Sequence, residues 1–189
     1  VTANAGGDFP RQVFDAGEVR GRRFIVMQLL EGRTLSRVAP DLTLETRIAL
    51  VRDVCEGVQA AHKIGLVHRD LKASNVLVVE TDSGLHPYVV DFGLAREVGI
   101  GGATVTAAAA GTPWYMAPEQ VTGAAVDRRA DIYSLGVLLY RLLADRYPIE
   151  GKSEVDVMLR VLTEDPEPLR RAVVSIASRR LWPRKISSS

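Results

Sequence analysis

Eight consecutive residues, His68-Arg69-Asp70-Leu71-Lys72-Ala73-Ser74-Asn75, put four ionisable side chains and an amide into one short stretch. Such a stretch makes a poor core and a good site. An aspartate there can take a proton from a hydroxyl nucleophile, and a lysine can offset negative charge on a group in transfer. An asparagine can ligate a hard cation. A second cluster, Asp91-Phe92-Gly93, supplies a carboxylate suited to Mg2+ and a glycine that lets the chain turn away sharply. A third runs from Gly111 to Glu119 with the sequence GTPWYMAPE and reads as a stiff apolar wall.

These clusters must be held by the elements around them. Residues 11–16 and 23–30 read as two short strands joined by a glycine-containing turn over 17–22. From Leu44 to His62 the apolar positions Ile48, Val51, Val54, Cys55, Val58 and Ala61 recur at helical spacing, and Gly65 stops that helix after Ile64. Val76–Val79 and Tyr88–Val90 flank Thr81-Asp82-Ser83-Gly84 as a second hairpin. The Gly- and Ala-rich segment 93–112 lacks periodicity and reads as a long mobile loop. Asp127 to Ala144 is the most apolar helix; Ile132, Leu135, Leu138, Leu139, Leu142 and Leu143 predict burial on nearly all sides. Ser153 opens a last helix that ends near Asp165-Pro166. Two hairpins feeding a mainly helical body make an α+β chain.

Composition narrows the classes without naming one. The chain has 189 residues, 24 Lys+Arg against 23 Asp+Glu, and 47% hydrophobic residues, which is ordinary globular composition for one domain. The apolar stretch from Leu135 to Ala144 is interrupted by Arg141 and falls far short of the roughly 20 residues that span a bilayer. The first ten residues, VTANAGGDFP, lack the basic and apolar regions of a signal peptide. A lone cysteine, Cys55, leaves no internal disulfide and fits a reducing, cytoplasmic setting. Arg170, Arg171, Arg179, Arg180, Arg184 and Lys185 make the C-terminal segment basic, but only Trp182 interleaves them, so a solvated tail is favoured over nucleic-acid binding.

HRDLKASN (68–75), DFG (91–93) and APE (117–119), in that order, resemble the signature of the eukaryotic-type serine/threonine protein kinases, in a form common in bacterial members. The resemblance covers Val13 to Pro166. It implies a protein-kinase-like fold with a mainly helical large lobe and a truncated β remnant of the small lobe. Residues 1–31 would be that remnant with the hinge, 32–166 the large lobe, and 167–189 a basic, poorly ordered tail. ATP and Mg2+ are the implied cofactors, and a protein carrying Ser or Thr is the implied partner. Asp70 would orient and deprotonate the substrate hydroxyl, and Lys72 would neutralise the migrating phosphoryl. Asn75 and Asp91 would hold Mg2+. Met27, as gatekeeper, the backbone of Gln28 and Leu30, and Leu77 would meet the adenine. Thr104 and Thr106 would be autophosphorylated and pair with Arg69. His68 would pack beneath Phe92, and Asp131 would tie back to the backbone at the Asp70 loop.

The sequence also departs from the family pattern. Gly6-Gly7 is no GxGxxG loop, and the first lysine is Lys63, too late for the strand lysine. A kinase fragment and a degenerate kinase serving as a protein-binding scaffold are the competing expectations. Retention of Asp70, Lys72, Asn75 and Asp91 favours the first, with weak activity expected of the isolated chain. Outside the motifs, His62 reads as an exposed helix end, His86 as a turn residue and Cys55 as a small core hydrophobe.

Overall fold

A computed structural model describes residues 13–92 and 113–173. The expected loop over 93–112, with Thr104 and Thr106, lies outside the described residues. The chain opens with two antiparallel strands, β1 (Val13–Val19) and β2 (Arg22–Met27), which form a sheet of their own. Their turn is tighter than the six residues expected. Arg20 and Gly21 alone make it, at φ 52° and 76°, the left-handed pair that suits the twist of a two-residue hairpin. Gly17, which signals a turn in the sequence, sits inside β1 opposite Phe24. A Cβ there would come within 2.9 Å of the phenyl ring.

The second sheet has the order β3-β4-β5, built from β3 (Arg33–Thr34), β4 (Val76–Thr81) and β5 (Gly84–Val89). Here too the strands extend further than expected, leaving only Asp82 and Ser83 between the paired Thr81 and Gly84. Pro87 is tolerated because β5 is an edge strand, where a missing N–H breaks no ladder on the outer side. Alternation along β4 sends Val76 and Val78 into the core and leaves Leu77 and Val79 half-buried on the other face. The chain crosses closely before β3: a Cβ on Gly32 would lie 2.8 Å from the Val78 carbonyl oxygen.

The helices are α1 (Leu35–Val38), α2 (Leu44–Lys63), α3 (Pro118–Thr122), α4 (Arg128–Ala144) and α5 (Glu154–Thr163). Each long helix starts on a side-chain cap: Thr43 accepts from the Thr46 N–H, Asp127 from Arg129 and Ser153 from Asp156. Leu50, Val54 and Val58 of α2 meet Val137, Leu138 and Leu142 of α4, together with Val76 and Val89 of the sheet. Fully burying one such side chain stabilises the fold by about 1.5–3 kcal/mol. The expectation that α4 is buried on nearly all sides is corrected: Ile132 is 58% exposed and Gly136 is open to solvent, so one face looks outward. The helix carries its hydrophobicity beyond the face that packs.

Polar latches close the α2–α4 pair at both ends. Near the start of α2, the buried Arg47 donates to the Leu142 carbonyl at 2.7 Å and meets Asp145 at 3.3 Å. At the far end, His62 Nε2 lies 2.7 Å from Asp131 Oδ2. Residues 169–173, where the basic tail was expected to have begun, form a helical turn, with Ala172 buried against Tyr140 and Ala144. No described helix is long and apolar enough to cross a membrane.

Candidate active site

The Asp70 stretch is a loop anchored from below. After α2, Gly65 turns the chain at φ 79°, and Leu71 and Ala73 plug into the core while Arg69 stays exposed. The fully buried Asp131 carboxylate, in the first turn of α4, accepts the backbone N–H groups of His68 and Arg69, each at 2.8 Å. His62 supplies its third partner. Such a buried carboxylate is tolerable only because donors surround it. Reading His62 as an exposed helix end is therefore corrected; it lies one turn past Val58 on the packed side of α2, and that spacing was the available signal.

His68 is the second anchor. Its Nδ1 accepts the Asp70 N–H at 3.2 Å, so Nε2 carries the proton and donates to the Val90 carbonyl at 2.9 Å. The ring lies 4.7 Å from that of Phe92, as expected. Burial pushes the imidazole below its ordinary pKa, against the smaller opposing pull of the Val90 bond and of Asp131 and Asp70. The Val90 N–H returns to the Asn75 carbonyl at 2.9 Å. Both residues flanking Asp91 are thus fastened to the Asp70 loop.

On this base three of the expected residues form one network. Lys72 Nζ lies 2.8 Å from Asp70 Oδ2. The Asn75 side-chain nitrogen lies 2.8 Å from the Asp70 carbonyl and 3.1 Å from the same Oδ2. Asp70 Oδ1 takes no hydrogen bond among the described residues. Two non-glycine residues here are left-handed, Arg69 at φ 69° and Asp91 at φ 64°. Backbone strain of that kind persists only where surrounding contacts over-determine it, and it gathers at functional sites.

The donor set suits a small hard cation. With the Asn75 nitrogen facing two oxygens, its Oδ1 is left with only a long 3.5 Å contact from the Ser74 hydroxyl. The exposed Asp91 carboxylate has no ion pair among the described residues. No group of three or more His, Cys, Asp or Glu gathers as a closed cage among those residues. Two protein oxygens are what Mg2+ uses when water and phosphate complete its shell.

The remaining expected positions are placed along the strands and the segment between them. Leu77 stands on the half-buried face of β4; Met27 ends β2, and Gln28 and Leu30 follow it in the non-sheet segment before β3. The wall is built as the sequence suggested. Tyr115, Met116 and Ala117 are buried, and Trp114 stacks on Tyr147 at 5.6 Å. Burial, with Tyr147 alongside, raises the Tyr115 phenol far above its ordinary value. One contact went unread in the sequence: Gln120 of α3 reaches the Arg69 carbonyl at 2.7 Å.

The sequence matches the protein kinase domain family over residues 12–188. It is similar to the serine/threonine-protein kinase PknB of Mycobacterium tuberculosis, 36% identical over 165 residues, covering 82% of this chain and 26% of that protein. The probable serine/threonine-protein kinase PknB of Corynebacterium glutamicum is 38% identical over 165 residues, with 82% and 25% covered. Serine/threonine-protein kinase PknL of M. tuberculosis is 38% identical over 156 residues, with 81% and 38% covered. The chain spans about a quarter of the length of the PknB relatives.

Proposed function

The chain belongs to the protein kinase family, and from that membership we propose that it transfers the γ-phosphoryl group of ATP to serine or threonine hydroxyls of a protein. One observation carries the reading: a single Asp70 carboxylate oxygen is held by both Lys72 and Asn75, in a loop fastened to the residues on either side of Asp91.

In this reading Asp70 accepts a hydrogen bond from the substrate hydroxyl, orients it, and takes its proton as the new oxygen–phosphorus bond forms and the bond to ADP breaks. Lys72, already beside Asp70, offsets charge on the migrating group. Asn75 and Asp91 would hold Mg2+, which, when bound, neutralises phosphate oxygens and sets them in line. The backbone of Gln28 and Leu30, with Met27 and Leu77, would receive the adenine. Phosphate on Thr104 or Thr106 would pair with Arg69. Residues 1–31 would belong to the small lobe and hinge, 32–166 to the large lobe, and the basic tail would follow. Dependence on ATP favours a cytoplasmic site of action.

A scaffold without catalysis is the less favoured reading, because nothing in binding alone calls for Asp70, Lys72, Asn75 and Asp91 together. The 189 residues contain no GxGxxG loop, so slow turnover is expected of the chain by itself. The test is transfer of labelled phosphate from ATP to a Ser/Thr peptide mixture, comparing the chain with D70N. Turnover should drop about 10²–10⁴-fold in the variant. Equal rates would overturn the assignment.

A further inference from the structure

Gln120 bridges two parts of the site that are far apart in sequence. Its Oε1 accepts the Ala117 N–H at 3.0 Å, and its Nε2 donates to the Arg69 carbonyl at 2.7 Å. The amide orientation is unambiguous, since its oxygen faces a donor and its nitrogen an acceptor. Arg69 is left-handed and immediately precedes Asp70. Its N–H is held by Asp131 from α4, and its carbonyl by Gln120 from α3. Both peptide groups that fix this strained residue are therefore side-chain-bound.

The other end of the bridge belongs to the wall. Ala117 is buried, and Ser134 of α4 donates to the Tyr115 carbonyl at 2.8 Å. A cavity of about 10 Å3 is lined by Arg69, Asp70 and Leu71 of the loop, Tyr115 and Met116 of the wall, and Gln120 and Ser134, so loop and wall border each other there. Separately, α4 grips the loop through Asp131 and the wall through Ser134. Of these three side chains only Gln120 joins loop to wall directly, in addition to the Tyr115 phenol, which contacts the Ala73 backbone.

Resting on the phosphotransfer reading above, we propose that Gln120 is a positioning residue for that reaction. It sets the distance between Asp70 and the wall, so that a polypeptide lying along the wall presents its hydroxyl within reach of the Asp70 carboxylate. Misplacement by about 1 Å is enough to cost up to about 100-fold in such a step.

Two variants test this. Gln120→Met keeps size and helix preference but makes neither hydrogen bond. Gln120→Glu keeps the acceptor for Ala117 and sets a carboxylate oxygen against the Arg69 carbonyl in place of the donor. Peptide phosphorylation and ATP hydrolysis would be followed together, with unfolding midpoints as the folding control. Both variants should lower kcat for the peptide about 10- to 100-fold, with KM for ATP within about twofold, and pass a larger share of turnover to water. Should Gln120→Met not fold, Gln120→Glu carries the test, because its hold on Ala117 remains. Wild-type kcat and an unchanged transfer-to-hydrolysis ratio in Gln120→Glu would overturn the proposal. A wild-type chain that phosphorylates nothing would remove the proposed function and this role with it, an outcome distinct from equal rates in wild type and variant.

Discussion

Asn75 places one side-chain nitrogen 2.8 Å from the Asp70 carbonyl and 3.1 Å from the Asp70 carboxylate, so a single amide fixes both the backbone and the charge of its neighbour. Replacing it by aspartate would set a second carboxylate against the first. We expect Asn75→Asp to lose about 1–3 kcal/mol at pH 7, read as a lower urea midpoint, and Asn75→Ala to lose less. A midpoint for Asn75→Asp at or above that of Asn75→Ala would contradict this account of the contact.

The buried His68 gives the fold an acid limit. Its imidazole titrates below the ordinary 6.5 because burial disfavours the cation. Below pH 6.5 the unfolded chain therefore binds a proton that the native state resists. Stability should be complete above pH 6.5 and decline as pH falls toward the native value, by at most about 1.4 kcal/mol per pH unit for one proton. Protonated Nδ1 also loses the Asp70 N–H bond. Urea unfolding from pH 7 to 5 on the chain and on His68→Gln should give a shallower slope in the variant; parallel slopes would sink the assignment.

Asp131 is surrounded by donors, and an amide cannot replace it. Asp131→Asn would turn an NH2 group toward the N–H of His68 or Arg69 or toward His62. A loss of about 3–5 kcal/mol is expected, visible by chemical denaturation. Hydrogen exchange at the His68 and Arg69 amides should quicken even where the fold survives.

Two glycines should respond in opposite directions to the same added methyl. At Gly32 a Cβ meets the Val78 carbonyl oxygen at 2.8 Å, and backbone must move, at a cost of about 1–3 kcal/mol. At Gly136, exposed within α4, a Cβ meets nothing within 4 Å, and alanine should stabilise by about 0.5–1 kcal/mol. Thermal midpoints of the two single variants, measured side by side, decide it.

The β1–β2 turn offers a local test. Arg20 is left-handed at φ 52°, where Asn sits more comfortably ahead of Gly21. Arg20→Asn should slow amide exchange within 13–27 several-fold and leave the global unfolding midpoint nearly unchanged, because these two strands form their own sheet. A shift confined to the helical body would be the contrary result.

Much of this was legible in the sequence, for identifiable reasons. The long helices announce themselves through apolar spacing, and the last of them through its Ser153 cap as well, all local signals. Asp70, Lys72 and Asn75 lie within one turn of chain, so their meeting needs little tertiary help. Gly17 misled because the same residue serves a turn or the underside of an aromatic ring, and only the register with Phe24 tells which. The Gln120 bridge spans 51 residues, and nothing in the periodicity of α3 points toward Arg69. His62 needed Asp131, 69 residues away, to become more than a helix end.

With Arg47 bonded to Leu142 and Asp145 at one end and His62 to Asp131 at the other, α2 and α4 cannot slide past each other in either direction without breaking a hydrogen bond made by a buried side chain. A one-turn ratchet, a familiar way for packed helices to relay a signal, is closed to this pair. The floor beneath Asp70 behaves as a fixed chassis, and whatever tunes the site has to arrive from above, through the strands or the wall.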